Sequence, residues 1–533
     1  MNPSFLNYSK TIVGIIPLIG LLYSCNKTVK PATPNILFCL ADDISYPHMS
    51  AYGCNWVKTP GFDRVAREGI LFTNAYTPNA KSAPSRSCIL TGRNSWQLEE
   101  AANHMCFFPA KFKTYPEALA ENGYFVGSTG KKWAPGEPGI INGIRRELVG
   151  KGWDQKKIAP PTTGISENDY SGNFEEFLDE CPDDKAFCFW YGGLEPHRRY
   201  EFGSSLELGG KQPSEIDRVP AFWPDNDTVR TDMLDYAFEI EHFDSHLVRM
   251  IEILEERGLL ENTIIVVTSD NGMPFPRVKG QVYEYSNHLP LAIMWGNGIK
   301  SHSVVTEYVS FIDFAPTFLQ LAGIDAEKSG MQKVTGNSLT DLFSAQESGE
   351  EIPLRDFVLI GKERHDIGRP HDQGYPVRGM IRDGFLYIKN FKPERWPAGN
   401  PESGYPNVDG SPTKTICLKT FGNPETKSFW DLNFGKRGGD EFYEISSDPD
   451  CIVNLADSAS YSEIMVNLRN DMIQKLREQA DPRILGDGDV FDNYRVSTSD
   501  SGFYERSLRG EKITRGWLNP SDDDTINFAF QVE

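Results

Sequence analysis

The sequence predicts an α/β fold, in which a large, mostly parallel, doubly wound sheet is followed by a smaller C-terminal α+β domain with an antiparallel sheet. Two apolar runs, residues 35–40 and 263–268, have the composition of strands that are buried on both faces. Helical patterns lie between them, and strands that alternate with helices indicate a parallel sheet. The chain has 533 residues, which is long enough for a large domain and a smaller companion.

The first segment has the pattern of an export signal. Lys10 precedes an apolar run over residues 11–22, which is too short to span a bilayer and ends at a small residue followed by Cys25. This junction resembles the lipobox of bacterial lipoproteins, which implies lipidation of Cys25; simple cleavage of a secretion signal is the alternative. We therefore expect a signal peptide over residues 1–24, a linker over residues 25–33, and export to the periplasm or cell surface with a lipid anchor in the membrane.

Helices and strands are predicted in order along the mature chain. In the larger part, helices are predicted over residues 60–69, 115–123 and 229–259. In the smaller part, a hairpin, a strand and a helix are predicted over residues 379–389, 441–445 and 461–479. Asp383-Gly384 gives the hairpin its turn. We assign residues 34–375 to the larger domain and residues 376–533 to the smaller one.

Charge and cysteine spacing exclude two classes of function. The formal net charge of −21 provides no broad basic surface, so we expect no nucleic-acid partner. An anionic substrate would need a local positive site. The cysteines after Cys25 contain no CxxC pair, so zinc-ligand spacing is absent. Disulfides are an option in an exported protein, and buried free thiols are the alternative.

Acidic residues follow both buried strands. Asp42 and Asp43 come directly after the first strand, and Asp270 and Asn271 come after the second. Open α/β sheets place their ligands at the carboxyl ends of such strands. Each residue alone is explained equally well by a helix cap or a turn. Three carboxylates and an amide together would repel one another, however, and a hard divalent cation with oxygen ligands removes that repulsion.

A second polar segment begins at Ser82. Pro84 is a residue type that opens helices, so Ser82 is predicted to stand just before a helix N-terminus. The free N–H groups and the dipole of such a terminus favour an anion. Arg86 lies one turn further on and returns a charged donor toward the same place. An ordinary N-cap is the alternative for Ser82 taken alone.

The pattern Ser82-x-Pro84-Ser85-Arg86, followed by Leu90-Thr91-Gly92-Arg93, resembles the signature of the type I sulfatases, a branch of the alkaline phosphatase superfamily. The resemblance implies an alkaline phosphatase-like fold and oxidation of Ser82 to formylglycine by a serine-type maturation enzyme. An unmodified serine hydroxyl without a base beside it is a poor nucleophile. A hydrated aldehyde offers two hydroxyls, of which one attacks sulfur and the other later expels the sulfate. The resemblance also implies a calcium ion bound by residue 82 together with Asp42, Asp43, Asp270 and Asn271.

Further residues match the family one by one. Gly130-Lys131-Lys132-Trp133 resembles the family's Gly-Lys-x-His, which implies that Lys131 contacts formylglycine and sulfate and leaves Trp133 in place of a histidine. By the same resemblance, His197 would protonate the leaving atom and Lys279 would bind the sulfate. A lysine taken alone is more often a solvated surface group. The implied catalytic set is Ser82, Arg86, Lys131, His197 and Lys279.

The residues that follow the second buried strand bear on the substrate. The run from Asp270 to Pro276 is similar to sulfamidases that cleave N-sulfated glucosamine at the end of heparan chains, so an exo-acting carbohydrate sulfatase on N-sulfoglucosamine is the favoured hypothesis. Sulfated saccharide is then the partner, and the loop residues predicted to bind it are His104, His365, Arg369 and Arg378. The alternatives are an O-sulfatase on another glycan, a phosphodiesterase or phosphonate hydrolase, and an inactive glycan-binding lipoprotein.

Overall fold

The computed structural model describes residue 1, residues 33–343 and 354–511, and residue 513. The predicted signal peptide and Cys25 lie outside these residues. The described residues from Thr33 onwards belong to one compact unit. Within the described ranges, no helix combines the length and the apolar character needed to cross a bilayer.

The strands of the described residues are β1 (Asn35–Ala41), β2 (Ile70–Phe72), β3 (Ala75–Tyr76), β4 (Cys106–Phe107), β5 (Phe125–Gly130), β6 (Gly136–Glu137), β7 (Ile140–Ile141), β8 (Ile144–Arg145), β9 (Lys151–Gly152), β10 (Phe187–Gly192), β11 (Thr263–Ser269), β12 (Leu291–Met294), β13 (Ser303–Val305), β14 (Val309–Ser310), β15 (Phe357–Lys362), β16 (Val377–Arg382), β17 (Phe385–Asn390) and β18 (Asp440–Glu444).

The α-helices of the described residues are α1 (Pro60–Glu68), α2 (Ser82–Thr91), α3 (Tyr115–Glu121), α4 (Tyr170–Glu180), α5 (Ser204–Glu207), α6 (Asp227–Glu256), α7 (Glu284–Asn287), α8 (Phe314–Leu321), α9 (Pro412–Lys419), α10 (Lys427–Phe434), α11 (Ser462–Glu478), α12 (Pro482–Leu485), α13 (Val490–Asn493) and α14 (Phe503–Leu508).

An eight-stranded sheet forms the centre of the molecule, in the order β13-β2-β12-β11-β1-β10-β5-β9. β1 runs parallel to β10 and β11, and β10 runs parallel to β5. β12 is antiparallel to both of its neighbours. The predicted large, mostly parallel sheet is therefore confirmed.

Helices cover both faces of this sheet, which explains why β1 and β11 are apolar throughout. Successive side chains of a strand point to opposite faces. Phe38 of β1 packs with residues of α2, α3 and α8 on one face. Its neighbour Leu37 packs with residues of α1, α4 and α6 on the other. The fold is thus doubly wound, as predicted.

A separate antiparallel sheet has the order β15-β16-β17-β18. Its hairpin turns at Asp383-Gly384, where φ is 52° and 75°, a conformation that favours glycine in the second position. Leu468 and Met472 of α11 pack against one face of the sheet. β15 lies before residue 376, so this sheet begins ahead of the predicted domain boundary.

The longer predicted helices correspond to α1, α6 and α11, with ends that differ by up to three residues. The sequence after about residue 481 shows no clear periodicity, and the structure forms three short helices there, α12 to α14. All eight cysteines among the described residues are free thiols.

Candidate active site

Four neighbouring strands deliver polar side chains to one edge of the central sheet. β11, β1, β10 and β5 are adjacent and mutually parallel, so their carboxyl ends meet there. The residues that follow these strands are Asp270 and Asn271 after β11, Asp42 and Asp43 after β1, His197 after β10, and Lys131 after β5. Residues far apart in the sequence are therefore brought together by the topology of the sheet.

Asp42, Asp43 and Asp270 form a buried cluster in which one carboxylate oxygen of each lies within 4.8 Å of the others. Asn271 Nδ2 donates a hydrogen bond to Asp43 Oδ1 at 2.6 Å. The side-chain oxygen of Asn271 is therefore on the side of Ser82, at 3.4 Å from Ser82 Oγ. All of these potential ligand atoms are oxygens, and such a set fits a hard divalent cation.

The carboxyl groups of this cluster differ in the direction of their pKa shifts. Burial, together with the charge of Asp42, raises the pKa of Asp43 and that of Asp270 to about 6. Burial acts on Asp42 as well, but cationic neighbours, with Lys131 the strongest, outweigh it and hold the pKa of Asp42 well below its usual range. Asp42 is thus the firmly ionised member of the cluster.

Ser82 is the first residue of α2, one position further into the helix than predicted. It is buried, its Oγ donates to Asp42 Oδ1 at 3.1 Å, and Lys131 Nζ donates to the same Oγ at 3.2 Å. The N-terminus of α2 adds free N–H groups and the positive end of the helix dipole. Ser82 therefore lies where a carboxylate, an ammonium group and a helix terminus converge.

Arg86, one turn along α2, contacts residues at the carboxyl ends of three strands. Its guanidinium group is fully buried, and Nε donates to Asp270 Oδ2 at 2.8 Å. Nη1 donates to the backbone oxygens of Lys131 and Lys132, both at 2.8 Å. Nη2 lies 3.4 Å from Asp42 Oδ1. Because β11, β5 and β1 end at these residues, Arg86 fixes their geometry relative to Ser82.

Two lysines bring positive charge to the cluster. Lys131 Nζ pairs with Asp42 Oδ2. Lys279 Nζ donates to Asp43 Oδ2 at 2.6 Å and to Asp409 Oδ2 at 2.9 Å. Both lysines stand at the cluster, as the sequence resemblance implies.

Asp409 was not predicted. It lies in a Pro/Gly-rich stretch, and the pair Asp409-Gly410 has only the signature of a turn. Burial raises the pKa of the Asp409 carboxyl, but Lys279, Lys81 and His197 together outweigh burial and hold that pKa well below its usual range. No sequence pattern that we recognise would have identified this residue.

His197 stands beside the same cluster. Its Nδ1 lies 2.7 Å from the backbone oxygen of Arg198, and because a carbonyl can only accept, Nδ1 carries a proton. Desolvation of the ring and the charge of Lys279 lower the pKa of His197 to about 4. A ring nitrogen of His197 and carboxylate oxygens of Asp43 and Asp409 lie within 4.8 Å of one another.

A family model described as Sulfatase matches residues 34–324, more than half of the chain. The chain belongs to the sulfatase family. It is therefore a sulfuric ester hydrolase. This sulfatase is 25% identical to human N-sulphoglucosamine sulphohydrolase, over 86% of this chain and 93% of the human protein. It is also 25% identical to an ulvan-active sulfatase of Formosa agariphila, over 86% of this chain and 77% of that protein.

A solved structure of a protein in complex with its substrate D-glucosamine-2-N,6-O-disulfate shares the fold. The TM-score is 0.59 at 20% identity, and the match covers 84% of the sulfatase and 98% of that chain. The match extends beyond the family model, so it includes parts of both sheets.

Trp133 of the sulfatase binds the helix that carries Ser82, and no contact of Trp133 with Ser82 itself is seen. Its Nε1 donates to the backbone oxygen of Ala83 at 3.1 Å and to Ser87 Oγ at 2.8 Å. Its ring packs edge-on against Phe108, with the ring centroids 5.2 Å apart. Trp133 thus supports α2 from the side.

A cavity of about 440 Å³ opens next to the cluster and is lined by residues that include Asp42, Lys131, Leu194, His197 and Arg198. Its volume is in the range of small-molecule sites. Arg198 is already engaged, because it forms a two-bond ion pair with Asp232 at 2.7 and 2.9 Å. The Arg198 guanidinium is therefore held by Asp232 at the edge of the cavity.

Two of the four residues predicted to bind sugar contact neighbours of site residues, and neither lines the cavity. His104 Nδ1 is 3.1 Å from Asp366 Oδ1, and Lys81 Nζ is 2.7 Å from Asp366 Oδ2, which links His104 to the residue before Ser82. His365 Nδ1 is 3.0 Å from the backbone oxygen of Gly280, next to Lys279.

The other two are occupied within the fold. Arg369 donates to the backbone oxygens of Trp396 and Pro397, at 2.7 and 2.9 Å. Arg378 donates to Asp481 at 2.7 and 2.9 Å and also pairs with Glu363. Both guanidinium groups are buried and neither lines the cavity, so these contacts explain them without a sugar.

Proposed function

We propose that this sulfatase is an exo-acting carbohydrate sulfatase whose favoured substrate is a terminal N-sulfoglucosamine of heparan- or heparin-type chains. The observation that carries the proposal is the position of Ser82 at the N-terminus of α2, in contact with Asp42 and Lys131 beside the oxygen-rich cluster. Similarity to human N-sulphoglucosamine sulphohydrolase over most of both chains supports the choice of sugar.

We infer that Ser82 acts after conversion to formylglycine. Asp42 accepts the hydrogen bond of Ser82 Oγ, but its low pKa makes it a weak base, so the serine hydroxyl is not activated. A hydrated aldehyde at this position supplies two hydroxyl groups on one carbon, one to attack sulfur and one to release the sulfate. A serine-type maturation enzyme is therefore a required partner under this proposal.

Calcium is the metal we propose for the oxygen cluster. Asp42, Asp43, Asp270 and Asn271 would hold it together with residue 82, and their donor set suits a hard cation. When bound, the ion supplies positive charge beside the sulfate. Lys131 and Lys279 add cationic donors at the same edge, which lets a chain with a net charge of −21 bind an anion.

The remaining groups act on the leaving side of the substrate. The Nδ1 proton of His197 is held by the backbone oxygen of Arg198, which leaves Nε2 to exchange a proton with the leaving atom. The pKa of His197 is about 4 without substrate, and a bound anionic sulfate would raise it because an opposite charge favours the imidazolium. The adjacent cavity would hold the sugar ring.

The location of the enzyme is part of the proposal. Export to the periplasm or cell surface and lipid anchoring at Cys25 rest on the N-terminal sequence. A surface-anchored enzyme would meet glycan chain ends outside the cell.

The test is sulfate release by the full chain after co-expression with a serine-type maturation enzyme. N-Sulfoglucosamine, glucosamine 6-sulfate, galactose sulfates and a phosphonate monoester are supplied in parallel. Release from N-sulfoglucosamine alone supports the proposal. Release only from an O-sulfated sugar keeps the chemistry and replaces the substrate, and phosphonate turnover without sulfate release favours the phosphonate hydrolase alternative. Glycan binding without any turnover favours the inactive binding protein.

A further inference from the structure

Asp409 adds a carboxylate to a site that has to bind an anion. It is 6% exposed, and its Oδ2 accepts a hydrogen bond from Lys279 Nζ at 2.9 Å. Lys279 also donates to Asp43 at 2.6 Å. A carboxylate in this place competes with sulfate for Lys279 and repels it. Direct sulfate binding therefore does not explain Asp409, which leaves two roles, the positioning of Lys279 and contact with the leaving side of the substrate.

Asp409 and His197 are close enough for one atom to contact both. An oxygen of Asp409 and a ring nitrogen of His197 lie within 4.8 Å of each other. Two hydrogen bonds of about 2.9 Å that meet at a tetrahedral angle separate their outer atoms by about 4.7 Å. In the proposed function, the substrate atom beside His197 is the leaving atom, the one bonded to sulfur.

We propose that Asp409 is a specificity-determining residue that selects substrates in which sulfur is bonded to nitrogen; this rests on the proposed sulfatase function. The ion pair with Lys279 keeps Asp409 a carboxylate, which can only accept hydrogen bonds. A sulfamate nitrogen carries an N–H that donates to it, and this hydrogen stays on nitrogen throughout. The bridging oxygen of a sulfate ester has only lone pairs, which would face the carboxylate.

The consequence is a strong preference between two substrates that differ in one atom. N-Sulfoglucosamine and glucose 2-sulfate carry the sulfuryl group at the same ring position, on nitrogen and on oxygen respectively. A site built to hydrogen-bond an N–H rejects the analogue that lacks it by about 10⁴-fold. We expect kcat/KM of the wild-type enzyme to favour the sulfamate by a factor of that order.

The experiment measures kcat/KM for both sugars with matured full-length protein. Asp409→Asn keeps the shape of the side chain but can turn an N–H toward the leaving atom, so the preference for the sulfamate should fall about 100-fold while ester hydrolysis is retained or increased. Asp409→Glu keeps the carboxylate and should retain more of the preference. Asp471→Asn is the matched control, because Asp471 is a half-exposed carboxylate paired with Arg382 at 2.7 Å on the small-sheet side.

Three results would overturn the proposal. One is a decrease in kcat/KM of Asp409→Asn that is equal for both sugars, which would mean that Asp409 only positions Lys279. Another is a wild-type kcat/KM that favours the ester. This result would overturn the role of Asp409 but would be consistent with the proposed sulfatase mechanism. If no sugar releases sulfate, the proposed function fails separately, and calorimetric binding of the two sugars to Ser82→Ala decides about Asp409, since equal affinities would contradict its role.

Discussion

Single residues of the site act by compensating one another's charge in a buried environment. Asp42 holds a pKa well below its usual range because Lys131 and other cationic neighbours outweigh its burial. Arg86 occupies the centre of this arrangement and bonds to the ends of three strands. The loss of one partner would leave a buried charge unpaired, which destabilises a protein far more than a missing surface contact.

The sequence predicted the members of the site that follow regular elements. Asp42 and Asp270 come directly after apolar strands. Ser82 begins a helix whose start is indicated in the sequence by Pro84. Asp409 and Asp366 escaped prediction because they lie on irregular loops, and their contacts with lysines depend on the tertiary fold alone. The sugar-binding roles of Arg369 and Arg378 stay predictions, because no sugar contact tests them.

Trp133 offers a test at this scale. Because it is buried against Phe108 and bonds to α2, Trp133→His should lower the free energy of unfolding by about 2 to 3 kcal/mol without increasing sulfate release. Trp133→Phe, which keeps the ring contact but loses the Nε1 donor, should lower it by about 1 kcal/mol. Urea unfolding measures both values. A histidine variant that is as stable as wild type and faster would contradict this role.

At the scale of elements, the sequence identified some of the strands that carry the site and not others. β1 and β11 are continuous apolar runs, and both were recognised. β5 has the sequence Phe-Val-Gly-Ser-Thr-Gly, in which two glycines and a serine weaken the strand pattern, and it was not recognised as a strand. It becomes a strand through its parallel pairing with β10 over six residues. Such pairing is a property of the sheet and leaves no local signal.

The glycine that ends α2 is predicted to hold this helix, and with it Ser82, in position. Gly92 ends this helix at φ 66°, and a Cβ there would lie 3.1 Å from Val334 and 3.2 Å from Ala315. Gly92→Ala should therefore lower stability by about 1 to 2 kcal/mol from backbone strain alone, with more from crowding, and should reduce sulfate release by shifting Ser82.

Gly258→Ala is the matched control for this change. Gly258 follows α6 at φ 67°, and no atom lies within 4 Å of the position of its added Cβ. Gly258→Ala should lose stability through backbone strain alone, because its Cβ meets no neighbouring atom, and it should keep full activity. Equal melting temperatures and equal rates for the two variants would show that the contacts of Gly92 do not position α2.

For the molecule as a whole, buried histidines predict instability in acid. Burial lowers the pKa of His48 to about 3 and that of His242 to about 4, from an ordinary value of 6.5. Below pH 6.5 the unfolded chain therefore binds more protons at these two histidines than the folded chain does, so their contribution to stability is full above that pH and is lost as the pH drops toward 4. Melting temperatures at pH 8 and pH 5 should differ, and His48→Gln should reduce the difference. An unchanged difference would exclude His48 as a source.

Metal removal tests the cluster at the same scale. Three carboxylates within 4.8 Å of one another offer oxygen ligands to a divalent cation, and a bound ion stabilises the folded chain, so a chelator should lower the melting temperature and abolish sulfate release, and calcium should restore both. A ligand present at 100 times its dissociation constant stabilises a protein by about 2.7 kcal/mol. Asp43→Asn should show a smaller shift. A melting temperature that chelation leaves unchanged would contradict a metal in this cluster.

The central claim is that residue 82, once converted, is the nucleophile. Sulfate release from N-sulfoglucosamine by protein co-expressed with a serine-type maturation enzyme tests it most directly, with unmatured protein and matured Ser82→Ala measured beside it. We predict release by the matured wild type, with loss of two hydrogen atoms at residue 82 by mass spectrometry, and a rate lower by at least about 10⁴-fold in the other two. Equal release by Ser82→Ala would contradict the claim.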